Sequence, residues 1–196
     1  MQLPSDFFGW VLFLLQKYGV LFLQGTGMTL LISLTGTVIG FLIGLLAAIL
    51  RTIPTARRTS VPVRGLKQLL NLILSIYIEV FRGTPMIVQA MVIYYGAMQA
   101  GLIGRTTPIP VVAIFIVSIN TGAYMAEIIR GGIISVDKGQ KEAAHAIGMT
   151  HWQSMVNVVL PQAVRNIMPS IGNEFVVNIK DSSVLNVIAV SELFFM

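Results

Sequence analysis

From Tyr18 to Leu50, between Lys17 and Arg51, the chain carries no charged residue. About 20 apolar residues in a helix cross the hydrocarbon core of a bilayer, so this run is long enough to span with tilt. It is too long for the apolar core of a signal peptide, and no basic leader or small-residue cleavage site frames it. The rest of the chain agrees. Only 11% of residues are charged and 55% are hydrophobic, where a soluble domain carries about a quarter charged residues. Cysteine is absent, which removes disulfide frameworks and thiolate metal sites.

Further apolar runs follow. Met86 to Ile103 is preceded by the mostly apolar Leu69 to Ile78, and Thr106 to Ala126 forms a third span. Asn166 to Ile179 is a shorter fourth, interrupted by Pro169, Gly172 and Glu174. Val184 to Met196 begins apolar and stops. The expected fold is an all-α integral membrane protein of about five transmembrane helices, the last missing or incomplete. No linker or low-complexity tract divides residues 1–196, so they form one domain.

Basic residues predict the orientation. Arg51, Arg57, Arg58, Arg64 and Lys67 lie between the first two spans, and Arg130, Lys138, Lys141 and Arg165 between the third and fourth. The opposite side holds Lys17, Arg105 and Lys180. The positive-inside rule then places the N-terminus outside and the loop Gly131 to Leu160 in the cytoplasm. The same asymmetry accounts for the net charge of +5, and the hydropathy argues against a nucleic-acid surface.

That loop reads as structured. Asp137-Lys138-Gly139-Gln140 reads as a helix start with an acidic residue near its positive end, and Lys141-Glu142-Ala143-Ala144-His145-Ala146-Ile147 is dense in helix formers. Gly148 suits a left-handed C-cap. A second helix is expected over Trp152 to Val159, with Trp152, Val156 and Val159 near one face and Leu160-Pro161 ending it.

Glu142-Ala143-Ala144, Gly148, Val158, Leu160 and Pro161 resemble the loop motif of permeases of ATP-binding-cassette importers, with Val158 where isoleucine is more usual. Tyr77-Ile78-Glu79-Val80-Phe81-Arg82-Gly83-Thr84-Pro85, Ala123-Tyr124-Met125-Ala126-Glu127-Ile128-Ile129-Arg130-Gly131-Gly132, Gly172-Asn173-Glu174-Phe175 and Lys180-Asp181-Ser182-Ser183 are similar to its polar-amino-acid branch. The resemblance covers roughly Gly25 to Leu193. It implies a type I importer transmembrane core in a bacterial cytoplasmic membrane, with residues 137–161 as a coupling loop docked on a cytoplasmic ATPase. It further implies a second permease subunit, an extracytoplasmic solute-binding protein and an amino-acid substrate. Lys141, Glu142, Ala143, Ala144, Gly148, Leu160 and Pro161 become the coupling residues. A Walker-type phosphate loop is absent from the sequence, so ATP and Mg²⁺ are expected in the partner, and no cofactor or metal in this chain. An amphipathic surface helix would need a broader apolar face with a basic flank than these alanines offer. An ATP-independent transporter or channel would leave the capped loop unexplained.

Ionisable groups at membrane depth are costly and mark functional candidates. Glu79 and Arg82 lie three apart and can pair, beside a proline that either kinks the helix or breaks it at a binding site. Asn120 lies two turns before Glu127 on one face, and either lines a route or joins helices. Glu127 and Arg130 are expected to form an ion pair. Glu174, Asn178 and Asp181 form a polar stripe, either a substrate pathway or a dimer seam. A zwitterionic amino acid needs groups for both of its charges, which Arg82 with Asp181 or Glu174 would supply. His145 and His151 read as surface residues. The ridge Gly36-x-x-x-Gly40-x-x-x-Gly44 allows close helix packing, within the subunit or against a second copy.

Overall fold

The computed structural model describes residues 6–52, 61–104 and 106–195. Arg57, Arg58 and Arg105 lie outside the described residues. Seven α-helices follow one another: α1 (Phe7–Thr52), α2 (Val61–Gly83), α3 (Met86–Gln99), α4 (Ile109–Ser135), α5 (Lys138–Ala146), α6 (His151–Ser154) and α7 (Leu160–Asp181). Two 3-10 turns, Ser182–Ile188 and Leu193–Phe195, complete the chain.

α1 exceeds the charge-free run at both ends. At about 1.5 Å per residue, its 46 residues reach about 69 Å, more than twice a hydrocarbon core of ~30 Å. Its first half is exposed on this chain, and burial starts at Gly25. By length and composition α1 and α4 each suffice to cross a membrane. α2 and α3 together are apolar enough for a broken span or a re-entrant loop, bent by 115°. α7 contains the shorter fourth run and keeps Pro169 inside the helix.

α4 is the axis of the bundle, contacting α1, α2, α3 and α7. The glycine ridge explains its tightest contact. A Cβ on Gly36 would lie 2.5 Å from Val117 Cγ1, on Gly40 2.6 Å from Thr121 Cβ, and on Gly44 2.5 Å from Met125 Cβ. Three successive turns of α1 therefore press bare backbone against α4. The ridge packs inside the subunit, one of the two arrangements the sequence left open. Numbers rise together along both helices, so α1 and α4 run in the same direction, and α2 with α3 returns the chain once between them. Gly122 meets α1 and α2 on another side of α4, where a Cβ would come within 2.7 Å of both Ile43 Cγ2 and the Tyr77 hydroxyl.

Apolar clusters fill the two ends. Ile32, Ala90, Ile116, Val117, Leu185 and Ile188 join α1, α3, α4 and the first 3-10 turn. Ala48, Met125, Ile129 and Ile167 join α1, α4 and α7. Val136, Val159 and Ala163 close the base of the loop between α4 and α7.

The segment from Val184, read from sequence as the start of a last helix, instead falls in the 3-10 turns as far as Phe195. Ala189 reverses the chain there in the left-handed region, with φ 64. A second revision concerns Pro161. The helix does not end at Leu160-Pro161: residues 155–159 form a π-turn, and the chain passes straight from α6 into α7 with Pro161 in its first turn. The Leu160 N–H bonds to the Met155 carbonyl, five residues back. This wider turn precedes a residue with no N–H to donate and a ring that crowds a normal one.

Gly40→Ala should lower stability by about 1–3 kcal/mol through overpacking, read as thermal unfolding in detergent. Gly27→Ala, with nothing within 4 Å of the new Cβ, should be neutral or stabilising by up to about 1 kcal/mol.

Candidate permeation pathway and coupling loop

The break between α2 and α3 is built by side chains that replace missing backbone bonds. Pro85 has no N–H and sits extended, with φ −62 and ψ 140. The Gln89 amide, almost fully buried, donates to the carbonyls of Phe81 and Thr84, each at 2.8 Å, and approaches the Thr84 hydroxyl at 2.9 Å. Asn120 on α4 orients it, donating to Gln89 Oε1 at 2.9 Å. Asn120 thus joins helices. Gln89, which sequence reasoning passed over, is its partner, and the preceding proline was the available signal.

Asn178 also bridges helices. It is 1% exposed, donates to Thr37 of α1 at 2.8 Å and accepts from Thr121 of α4 at 3.1 Å. Its amide therefore belongs to the seam where α1, α4 and α7 meet.

Glu79 and Arg82 do not pair as sequence spacing allowed. Among the described residues the ion pairs are Arg51–Glu127 and Glu127–Arg130. Both Glu79 and Arg82 are exposed on this chain. The Arg82 guanidinium instead sits over the Tyr124 ring of α4, 5.6 Å from its centroid, which supplies attraction without a buried carboxylate. Glu174, buried on α7, is within electrostatic reach of both Asp181 and Arg82. Glu174 and Asp181 share α7 two turns apart, and the charge of Arg82 on α2 is felt at Glu174.

Glu127 binds two arginines. Arg130 donates from Nε and Nη2 at 2.9 and 2.7 Å to one carboxylate oxygen, and Arg51 Nη1 to the other at 2.9 Å. The pair expected from spacing is present. Arg51, assigned from sequence to the loop, is the last-turn residue of α1 and the third member. The cluster ties α1 to α4 next to a cavity of about 360 Å³ lined by Arg51, Thr52, Asn71, Arg130, Ile133 and Ile134.

The loop 137–161 is a capped, two-part unit. The Asp137 side chain accepts from Gly139 N–H at 2.6 Å, capping α5. At the other end Gly148 takes φ +86. Gly148 N–H bonds to His145 O and Met149 N–H to Ala144 O, each at 3.0 Å, which is a Schellman closure. Thr150 and Gln153 then form a capping box that starts α6. Glu142, Ala143, Ile147 and Gly148 are exposed, Lys141 is half-buried, and Ala144 is 3% exposed, turned inward. Ala144 thus lies on the face opposite the other motif residues. Ile147, not singled out from sequence, is 75% exposed at the tip. Of the stripe Trp152, Val156 and Val159, Val159 is buried, and the other two are exposed. Leu160 is half-buried, and Pro161 is exposed. His145 and His151 are exposed, and no cluster of metal-ligating side chains occurs among the described residues.

These features define a helical membrane subunit with a rigid loop on one side and a polar neighbourhood within. Residues 40–196 match the family described as binding-protein-dependent transport system inner membrane component. The chain belongs to this family, the permease subunits of ATP-binding-cassette importers. It is 39% identical over 173 residues to the glutamine transport system permease protein GlnP of Escherichia coli K12, covering 88% of this chain and 73% of that one. It is 36% identical to the arginine transport system permease protein ArtQ of Bacillus subtilis, covering 87% and 72%. A crystal structure of an amino acid ABC transporter with histidines superposes with TM-score 0.79 at 40% identity, over 97% of this chain and 79% of that one. The inward-facing MetNI methionine transporter shares the fold, with TM-score 0.68 at 20% identity over 90% and 78%.

Replacing Gln89 with Leu leaves the carbonyls at the break without their donor and should cost about 1–3 kcal/mol. Asn120→Leu acts on the same network, so thermal unfolding of the double variant should show less than the summed loss.

Proposed function

We propose that this chain moves a polar amino acid across a bacterial cytoplasmic membrane, with its N-terminus outside and residues 137–161 in the cytoplasm. It works with a second permease subunit, an extracytoplasmic binding protein and cytoplasmic ATPase subunits that carry ATP and Mg²⁺. The observation that carries the reading is the loop. Capped at both ends and continuous with α7 through the π-turn, it is a lever stiff enough to pass on a displacement. Glu142, Ala143, Ile147 and Gly148 present its outer face to the ATPase. Lys141 and Ala144 support that face from within, and Leu160 and Pro161 join it to α7.

The substrate pathway passes Arg82, Glu174 and Asp181, with Glu79 at its edge. Arg82 suits the carboxylate of an amino acid, and Glu174 or Asp181 its ammonium. Asn120 and Asn178 act from behind by holding the helices that carry these groups. The glutamine and arginine permeases among the relatives support a polar amino acid as substrate.

Two measurements test this. Ile147→Asp and Gly148→Val should each abolish co-purification with the ATPase while the permease still folds. The valine acts through the left-handed backbone, which costs a side chain about 1–2 kcal/mol. A tight complex retained in both variants overturns the docking role. In reconstituted importer, Asp181→Asn and Glu174→Gln should each reduce transport about tenfold or more, as expected for losing a charge-assisted bond. Unchanged rates and substrate preference in both remove these carboxylates from the pathway.

A further inference from the structure

Glu192 was not among the sequence candidates, yet it is the most deeply enclosed charged residue in the described chain, at 0% exposure. Its carboxylate accepts from the Thr29 hydroxyl at 2.9 Å and from the Phe194 N–H at 3.0 Å. The Ser182 hydroxyl shares its one proton between Glu192 Oε2 at 3.2 Å and the Ile179 carbonyl at 2.9 Å. Thr29 also accepts from Leu193 N–H at 3.2 Å. Thr29 is itself buried in α1, and Ser182 is buried immediately after Asp181. Among the described residues no cation pairs with Glu192 within 4 Å.

A carboxylate enclosed without a cation is expensive unless its oxygens are fully hydrogen-bonded. The backbone bears a second cost nearby. Ala189 is the single non-glycine residue with positive φ among the described residues. This conformation disfavours a side chain, and it is what turns the segment after Ile188 back so that Glu192 reaches Ser182. Two unfavourable features converge on one outcome, the anchoring of Ser182 to α1.

Asn178 makes the corresponding anchor one turn earlier, to Thr37 of α1 and Thr121 of α4. Asp181 therefore lies between two polar clamps that both reach α1, eight residues apart on that helix and four apart along the chain at the end of α7. Apolar packing alone would let α7 slide or rotate with little penalty, because it has no direction. Hydrogen bonds at two points fix both its depth and its rotation.

We propose that Glu192, through Thr29 and Ser182, is a positioning residue that sets where Asp181 stands in the substrate pathway. The inference rests on the importer reading. It assigns to the segment after α7 a role in aligning the site rather than in closing the bundle.

The test uses the assembled importer in proteoliposomes, with its ATPase and binding protein. It reads substrate moved per ATP hydrolysed for wild type, Thr29→Val, Thr29→Ser and Glu192→Gln. Valine keeps the shape of threonine and removes the donor, so Thr29→Val should lower transport per ATP about tenfold while stimulated ATPase stays within about twofold. Thr29→Ser should restore the ratio, and Glu192→Gln should behave as Thr29→Val. A purely structural role would lower the yield of assembled complex and both rates together, leaving the ratio unchanged. That result, or a wild-type ratio in both Thr29→Val and Glu192→Gln, overturns the proposal. Absence of amino-acid transport by the wild-type assembly would instead overturn the importer reading.

Discussion

The close approach of α1 and α4 is what the remaining architecture depends on. In a bilayer two helices gain little from hiding apolar surface from each other, because lipid is equally apolar. Association then rests on dispersion and on polar bonds, both of which need short distances. Gly36, Gly40 and Gly44 supply those distances by letting Val117, Thr121 and Met125 meet bare backbone. With the axes so close, Thr37 and Thr121 stand near enough for one Asn178 amide to bond both. Arg51, at the end of α1, likewise comes within reach of Glu127. A side chain at Gly40 would separate these pairs as well as strain the contact.

The parallel course of α1 and α4 also constrains the rest. Two parallel neighbours in a membrane need an odd number of crossings between them, and α2 with α3 supplies one by breaking at Pro85. The break exposes carbonyls that a straight helix would satisfy. Gln89 and Asn120 compensate with side-chain amides, so the bend depends on α4 as well. Polar groups thus recur wherever the backbone departs from a plain helix: Gln89 at the break, Asp137 and Thr150 at the loop helices, and Glu192 beside the left-handed Ala189. Buried polar groups without such a partner would cost far more in lipid than in water.

Much of this was legible beforehand, and the unread parts share a cause. Apolar runs bounded by charge located α1, α4 and α7, and helix formers with a glycine cap located α5 and the left-handed Gly148. Local signals of that kind depend on residues a few positions apart. Thr37 with Asn178, Asn120 with Gln89, and Thr29 with Glu192 are instead separated by 141, 31 and 163 positions, so no spacing rule connects them. Glu79 and Arg82 show the converse error. Their spacing permits a pair, but Tyr124 on another helix offers Arg82 a competing partner that spacing does not reveal. Pro161 misled for a different reason. The usual stop signal holds for a regular α-helix, and the π-turn before it relaxes the clash on which the rule relies.

That π-turn bears on how motion travels. An ordinary linker between α6 and α7 would absorb a displacement of the loop in soft backbone dihedrals. Helical backbone instead continues through residues 155–159, with the Leu160 N–H reaching the Met155 carbonyl. Movement of α5 and α6 must then shift or rotate α7 as a body. The same helix carries Glu174, Asn178 and Asp181, so under the proposed function displacement at the loop becomes displacement among the proposed pathway residues. Val159 and Ala163, packed on Val136, form the fulcrum, and the clamps at Asn178 and Ser182 hold the far end.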